Sequence, residues 1–74
     1  MAERLLDCMG LRCPLPIVRI SQAISAMPVG GRLRVEADDP AFRMDIEAWA
    51  RRTGQALLEL EDGPPHRAVI EKLE

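Results

Sequence analysis

The chain has 74 residues, a net charge of −2 at pH 7 and 47% hydrophobic residues. This length predicts one domain, residues 1–74, with a modest core and a shallow site, and it argues against a deep catalytic cavity. The acidic balance and the scarcity of aromatic residues argue against direct nucleic-acid binding. No apolar run approaches the roughly 18–20 residues of a membrane span, and the N-terminus lacks signal-peptide architecture. We therefore expect a cytoplasmic protein without membrane contact.

The first part of the chain predicts a strand, a loop and a helix. Residues 3–8 are typical of a short strand, and Gly10 gives the following loop its backbone freedom. Pro14 suits the first position of a helix, because the N–H that proline lacks would be unpaired there. Over residues 14–27 apolar residues recur at spacings of three and four, which predicts one buried helix face. That face comprises Ile17, Ile20, Ile24 and Met27.

The next segment predicts a second strand and a second helix. Residues 32–37 alternate polar and apolar side chains, as in a strand with one solvent-facing side. Asp38 and Asp39 resemble helix caps before a helix over residues 40–53. Asp45 offers an alternative start, which would split this segment into one turn and a helix. The predicted buried positions are Phe42, Ile46, Trp49 and Ala50.

The last part of the chain predicts two further strands joined by a turn. Residues 55–61 form the third strand, with Leu58 and Leu60 directed inward, and residues 66–72 form the fourth. His66, at the start of that strand, is expected to be exposed. The order β-α-β-α-β-β predicts an α/β two-layer sandwich, in which a four-stranded mixed sheet carries both helices on one face.

Cys13 is the candidate functional residue, because it directly precedes the predicted helix. A helix N-terminus carries partial positive charge and favours an anion, so we expect the pKa of the Cys13 thiol to be lowered by a fraction of a unit. Arg12 would add to this effect. Pro14 and Pro16 remove two N–H groups from the first turn, which argues against a strong shift. The alternative is an inert, buried cysteine.

The rest of an active site is missing from the sequence. A single His66 cannot complete a protease-like site, and neither a Cys-x-x-Cys pair nor a phosphate-binding glycine loop occurs. Two cysteines and one distant histidine fall short of a structural zinc site. We expect no metal and no cofactor. A nucleophile without further machinery favours a protein that carries a group between enzymes over a self-sufficient enzyme.

Two other functions remain open at this point. Cys8 alternates with Leu6 along the predicted strand, which favours core packing, but it could also close a disulfide with Cys13 as a redox switch. A non-catalytic regulatory or adaptor domain, which would bind a partner through a helix face, is the second alternative.

The chain resembles the TusA/SirA-like sulfur-carrier family over residues 5–72. The resemblance runs through Leu6-Asp7 and through Gly10-Leu11-Arg12-Cys13-Pro14 with Pro16. It continues through Asp38-Asp39-Pro40, Asp45-Ile46 and Thr53-Gly54, and ends through Asp62-Gly63 and the final strand.

The resemblance implies the same sandwich fold and a function for Cys13. In this family the matching cysteine receives sulfane sulfur as a persulfide and passes it to an acceptor protein. The donors are cysteine desulfurases or rhodanese-like enzymes, and the acceptors serve tRNA thiolation, molybdenum-cofactor metabolism or sulfur oxidation. The resemblance implies that Gly10, Pro14 and Pro16 shape the loop and that Arg12 docks a partner or stabilises the thiolate. Asp7 completes the motif. Separately, we expect a monomer, because the predicted core is internally complete.

Overall fold

The computed structural model describes residues 3–74, so the first two residues of the predicted domain lie outside the described part. Six elements follow one another in the predicted order. They are strand β1 (Glu3–Cys8), helix α1 (Leu15–Ala26), strand β2 (Arg32–Ala37), helix α2 (Phe42–Thr53), strand β3 (Ala56–Glu61) and strand β4 (His66–Glu71). The predicted α/β two-layer sandwich with a mixed sheet is confirmed.

The sheet has the strand order β1-β2-β4-β3. β1 and β2 are parallel, and β4 pairs antiparallel with both β2 and β3. The C-terminal ends of β1 and β2 meet in register, with Cys8 opposite Ala37. The loop that leaves β1 and the loop that leaves β2 therefore start side by side. Each of these loops leads into a helix, so both helix starts lie at the same edge of the sheet.

A single hydrophobic cluster joins one face of the sheet to both helices. The period of two along β2 directs Leu33, Val35 and Ala37 into this cluster and leaves the arginines of that strand outside. The helices contribute residues at spacings of three and four, as their sequences predict. The helical members include Ile20, Ala23 and Ile24 of α1 and Phe42, Ile46, Trp49 and Ala50 of α2. The predicted buried face of α2 is confirmed.

The other face of the sheet is covered by ion pairs between neighbouring strands. Arg34 Nε lies 3.1 Å from Glu3 Oε1, and Arg67 Nε lies 3.1 Å from Glu36 Oε2. The long side chains shield Val69, which is buried although it points away from the helices. Such exposed pairs add little to stability, so the cluster under the helices is the main source of stability.

Strand β3 differs from its predicted alternation. A β-bulge interrupts the register between Leu57 and Glu59 and inserts one additional residue. Leu57 and Leu60 therefore both pack against the core, whereas Leu58 is 44% exposed. The inward direction predicted for Leu58 is wrong, because a strict period of two does not survive a bulge. The inward direction predicted for Leu60 is confirmed.

The helix starts also differ from the predictions. Helix α1 begins at Leu15, and Pro14 is the residue before it instead of the first helical residue. Helix α2 begins at Phe42 and continues without a break through Asp45, so the split at Asp45 is wrong.

His66 is more enclosed than expected. Its ring stacks on Phe42 with centroids 6.2 Å apart, and its Nδ1 accepts a hydrogen bond of 3.0 Å from the N–H of Gly63. The prediction of an exposed His66 is therefore wrong.

Neither helix between residues 3 and 74 has the length and apolar character needed to cross a membrane.

Candidate functional site

The two cysteines differ completely in their surroundings. Cys8 ends β1 and is fully buried in the core cluster, as packing of that strand predicts. Cys13 lies in the loop between β1 and α1 and is exposed. Both are free thiols. Cys13 is therefore the thiol that another protein can reach.

Asp38 anchors the loop that precedes Cys13. Its Oδ1 accepts hydrogen bonds from the N–H of Gly10 at 2.9 Å and from Nη1 of Arg12 at 3.0 Å. Gly10 has φ +80°, a conformation that residues with a side chain rarely adopt. The Gly10 N–H is the largest cause that lowers the pKa of Asp38, followed by its contact with Arg12. At the start of the loop, Asp7 Oδ1 accepts the N–H of Met9 at 2.9 Å.

Asp39 holds the backbone of Cys13 itself. It is only 6% exposed, and its Oδ2 accepts the N–H of Cys13 at 3.0 Å. Its Oδ1 accepts the N–H of Ala41 at 3.4 Å, just before α2. One carboxylate thus ties the cysteine to the start of the second helix. Because Asp38 and Asp39 follow β2 directly, the parallel pairing of β1 and β2 brings them beside the cysteine loop.

The start of α1 offers few donors to the Cys13 sulfur. Pro14 and Pro16 have no N–H, and the N–H of Leu15 donates to the carbonyl of Arg12 at 2.8 Å. Pro16 is buried in the core side of α1, whereas Pro14 is exposed beside the thiol. The prolines therefore shape the helix start without making it an anion site.

The pKa of Cys13 is raised, so the predicted lowering is wrong. The largest cause is a hydrogen bond with the side chain of Asp45; partial desolvation and the negative charges of Asp45 and Asp39 act in the same direction. The carboxylates disfavour the thiolate, and the helix end, which is depleted of N–H groups, offers few donors to favour it. Arg12 does not offset them, since its guanidinium pairs with Asp38. The thiolate-stabilising role suggested for Arg12 therefore finds no support in this geometry.

A shallow groove of about 190 Å³ surrounds the thiol at the seam between the two helices. Its lining comprises Cys13, Pro14, Ile17, Asp45, Ala48 and Arg52. On α2 the three lining residues are spaced by three and four, so they share one helix face. Small-molecule pockets usually enclose about 300–1,000 Å³. The groove is thus better suited to a protein segment that reaches the sulfur than to an enclosed small substrate.

Sequence reasoning missed the carboxylates around Cys13. The sequence pattern predicts Asp38 and Asp39 as caps of α2 and Asp45 as a second cap. The structure instead brings all three toward the cysteine loop. A signal was present, because both acidic segments belong to the parts of the chain that resemble the sulfur-carrier family. Their roles follow from tertiary contacts, which a local cap pattern does not reveal.

Comparison with known proteins identifies the family. Residues 4–72 match the family described as Sulfurtransferase TusA. The chain belongs to this family. The Sulfur carrier protein TusA of Allochromatium vinosum is 43% identical over 68 residues, a match that covers 90% of each chain. A relative from Aquifex aeolicus is 44% identical over 59 residues, which is 80% of this chain but only 30% of that protein.

A solved structure supports the TusA-family fold. The crystal structure of the SirA-like protein from Desulfitobacterium hafniense matches with a TM-score of 0.79 and covers 96% of this chain and 99% of its own. Its sequence identity is 24%, so this match concerns the fold alone.

Proposed function

We propose that this protein is a sulfur carrier, in which Cys13 accepts sulfane sulfur as a persulfide and relays it to an acceptor protein. The observation that carries the proposal is the exposed Cys13 thiol in a shallow groove, on a chain of the TusA family. The named relative from Allochromatium vinosum is a sulfur carrier protein. The carrier domain comprises residues 1–74 and acts as a cytoplasmic monomer.

The chemistry needs a nucleophile and two docking partners. The Cys13 thiolate attacks the outer sulfur of a donor persulfide; one S–S bond forms, the donor's S–S bond breaks, and the electron pair leaves on the donor's thiolate. The reverse attack, by an acceptor cysteine, discharges Cys13. No net oxidation occurs, so the carrier requires neither a metal nor a cofactor. It is therefore a sulfurtransferase-type carrier rather than a self-sufficient enzyme.

The surroundings of Cys13 fit transfer between proteins. The groove is open along the seam of α1 and α2, and exposed apolar side chains occur near both helix starts, at Met9, Leu15 and Met44. The donor is a cysteine desulfurase or a rhodanese-like enzyme. The acceptor belongs to tRNA thiolation, molybdenum-cofactor metabolism or sulfur oxidation. In none of these does the carrier itself bind nucleic acid.

The test is sulfur loading followed by intact mass. The protein is incubated with a cysteine desulfurase and cysteine, or with a rhodanese and thiosulfate, beside the variants Cys13→Ser and Cys8→Ser. We expect a reductant-sensitive gain of about 32 Da per sulfur in the wild type and in Cys8→Ser, and no gain in Cys13→Ser. Loading of Cys13→Ser at the wild-type rate, or no loading of the wild type by either donor, would contradict the proposal.

The redox-switch alternative is less well supported by the geometry. Cys8 is fully buried in the core cluster, so a disulfide with Cys13 would require displacement of β1. Mild peroxide followed by thiol titration distinguishes the two functions. Loss of both thiols without dimer formation would favour the switch. Loss of Cys13 reactivity alone agrees with the carrier.

A further inference from the structure

Two carboxyl groups converge on Cys13, and both act on a sulfur that is proposed to carry charged cargo. Asp39 accepts the backbone N–H of Cys13 at 3.0 Å, and Asp45 on α2 is the main cause of the raised pKa of its thiol. Asp45 also lines the groove through which a partner would reach the sulfur. The electrostatic surroundings of the sulfur are therefore dominated by negative charge, contrary to what a helix N-terminus alone would supply.

Negative surroundings affect the empty and the loaded carrier differently. The pKa of the empty Cys13 thiol is raised, so the thiol stays protonated and neutral near pH 7. A persulfide is a stronger acid than a thiol, and thus carries more negative charge at the same pH. Nearby carboxylates repel that charge but act far less on a neutral thiol. They therefore destabilise the loaded form relative to the empty form.

We infer that Asp45 lowers the affinity of Cys13 for sulfur, so that the loaded carrier releases its cargo to an acceptor instead of retaining it. The inference rests on the proposed function and concerns regulation of the same site. The equilibrium is Cys13–SH + R–S–S⁻ ⇌ Cys13–S–S⁻ + R–SH, in which the negative charge moves with the sulfur, one thiol proton ends on the donor and no net redox change occurs. Asp45 is a positioning residue here, because it acts through charge and forms no bond to the transferred sulfur.

The other charged groups around Cys13 have smaller or balanced effects. Arg12, in the same loop, is paired with Asp38. Arg52 lines the groove from α2, but it is not among the causes that shift the pKa of Cys13. Asp39 is engaged by two backbone N–H groups. Asp45 is thus the largest source of negative charge that acts on the sulfur, and its charge can be removed without touching the backbone contact of Cys13.

The experiment measures the sulfur equilibrium directly. Wild type, Asp45→Asn and Glu47→Gln are equilibrated with glutathione persulfide and glutathione at about pH 7.5 and low salt, and the loaded fraction is read by intact mass. We expect Asp45→Asn to raise the loading constant about three- to fivefold, as for one charge a few ångströms away in water. Glu47→Gln is the matched control: it removes one negative charge from the same helix, but Glu47 does not line the groove. We expect it to change the constant less than about twofold.

Two further readouts keep the test decisive. The pH midpoint for alkylation of the empty Cys13 should fall in Asp45→Asn, and this needs no sulfur. In the wild type, loading should rise as salt is raised to about 1 M, since salt screens the repulsion. Loading constants that are equal in wild type and Asp45→Asn, or that shift equally in both variants, would overturn the inference and leave the carrier function standing. A wild type that never loads would overturn both.

Discussion

Cys8 and Cys13 lie five residues apart and occupy opposite environments. Cys8 is enclosed by the core at the end of β1, whereas Cys13 is exposed at the helix seam. The pKa of each thiol is raised, but the causes differ. For Cys8 the main cause is burial, partly offset by the charge of Arg19, and for Cys13 it is the hydrogen bond with Asp45. The same direction of pKa shift therefore arises from two different surroundings, burial at Cys8 and a neighbouring carboxylate at Cys13.

The difference in cause matters for function. Burial protects Cys8 from every reagent as long as the strand stays folded. The carboxylate of the half-buried Asp45 raises the pKa of Cys13 without enclosing the thiol, so a docked partner can still reach the sulfur. The structure thus places a buried thiol and an accessible thiol in one short segment. The following predictions test this division, beginning with the largest effect.

The first prediction concerns the accessibility of the two thiols. Iodoacetamide should label Cys13 of the native protein, while Cys8 should react at least about a hundredfold more slowly, because it reacts only when β1 opens. Timed mass spectrometry with peptide mapping measures both rates. In denaturant, both thiols should react at similar rates. Native rates within tenfold of each other would mean that the end of β1 opens readily, and the redox-switch alternative would gain support.

The second prediction concerns Asp39, which joins the Cys13 loop to α2. Asp39→Ala should lower the free energy of unfolding by about 2 kcal/mol, since hydrogen bonds to charged groups are worth about 1.5–3 kcal/mol. The N–H groups of Cys13 and Ala41 would lose their acceptor. Urea denaturation measures the change. Asp39→Asn retains an acceptor oxygen and should cost less, and equal losses in both variants would show that the negative charge is essential.

The Asp39 contacts also show what the sequence can and cannot reveal. Alternation along β2 and the apolar spacing of α2 predicted those elements and their buried faces, because each pattern is local. The bounds of β1 and β2 agree with the predicted ones. The bulge in β3 was not predicted, since Leu57, Leu58 and Leu60 fit either register until pairing with β4 is known.

The candidate site was predictable only in part. The motif around Cys13 identified the cysteine and the loop that carries it, and the exposed thiol agrees with that choice. The predicted sign of its pKa shift is wrong, because the carboxylates act on the thiol in addition to the helix end. Asp39 and Asp45 act on Cys13 from 26 and 32 residues further along the chain, respectively. Only the parallel pairing of β1 with β2 and the packing of the helices bring them close.

The third prediction contrasts serine substitutions at the two cysteines. Cys8→Ser should lower the free energy of unfolding by about 1–3 kcal/mol, because it buries a hydroxyl in an apolar cluster. Cys8→Ala is the matched control, which removes the sulfur without adding a polar group. Cys13→Ser should leave the denaturant midpoint unchanged. Sulfur loading should be lost in Cys13→Ser and retained in Cys8→Ala. A loss of loading in a folded Cys8→Ala would contradict the view that Cys8 serves packing only.

The last prediction concerns alkaline pH and has the smallest expected effect. Because burial raises the pKa of Cys8 in the folded state, the unfolded chain loses this proton first, at about pH 9. Above that pH the folded state binds more protons than the unfolded state, so stability falls as pH rises. Denaturant midpoints between about pH 8 and pH 10 should therefore decline, and Cys8→Ala should decline less than wild type. If Cys13→Ser instead removed most of the decline, the carboxylates beside Cys13 would affect stability at alkaline pH more than the burial of Cys8 does.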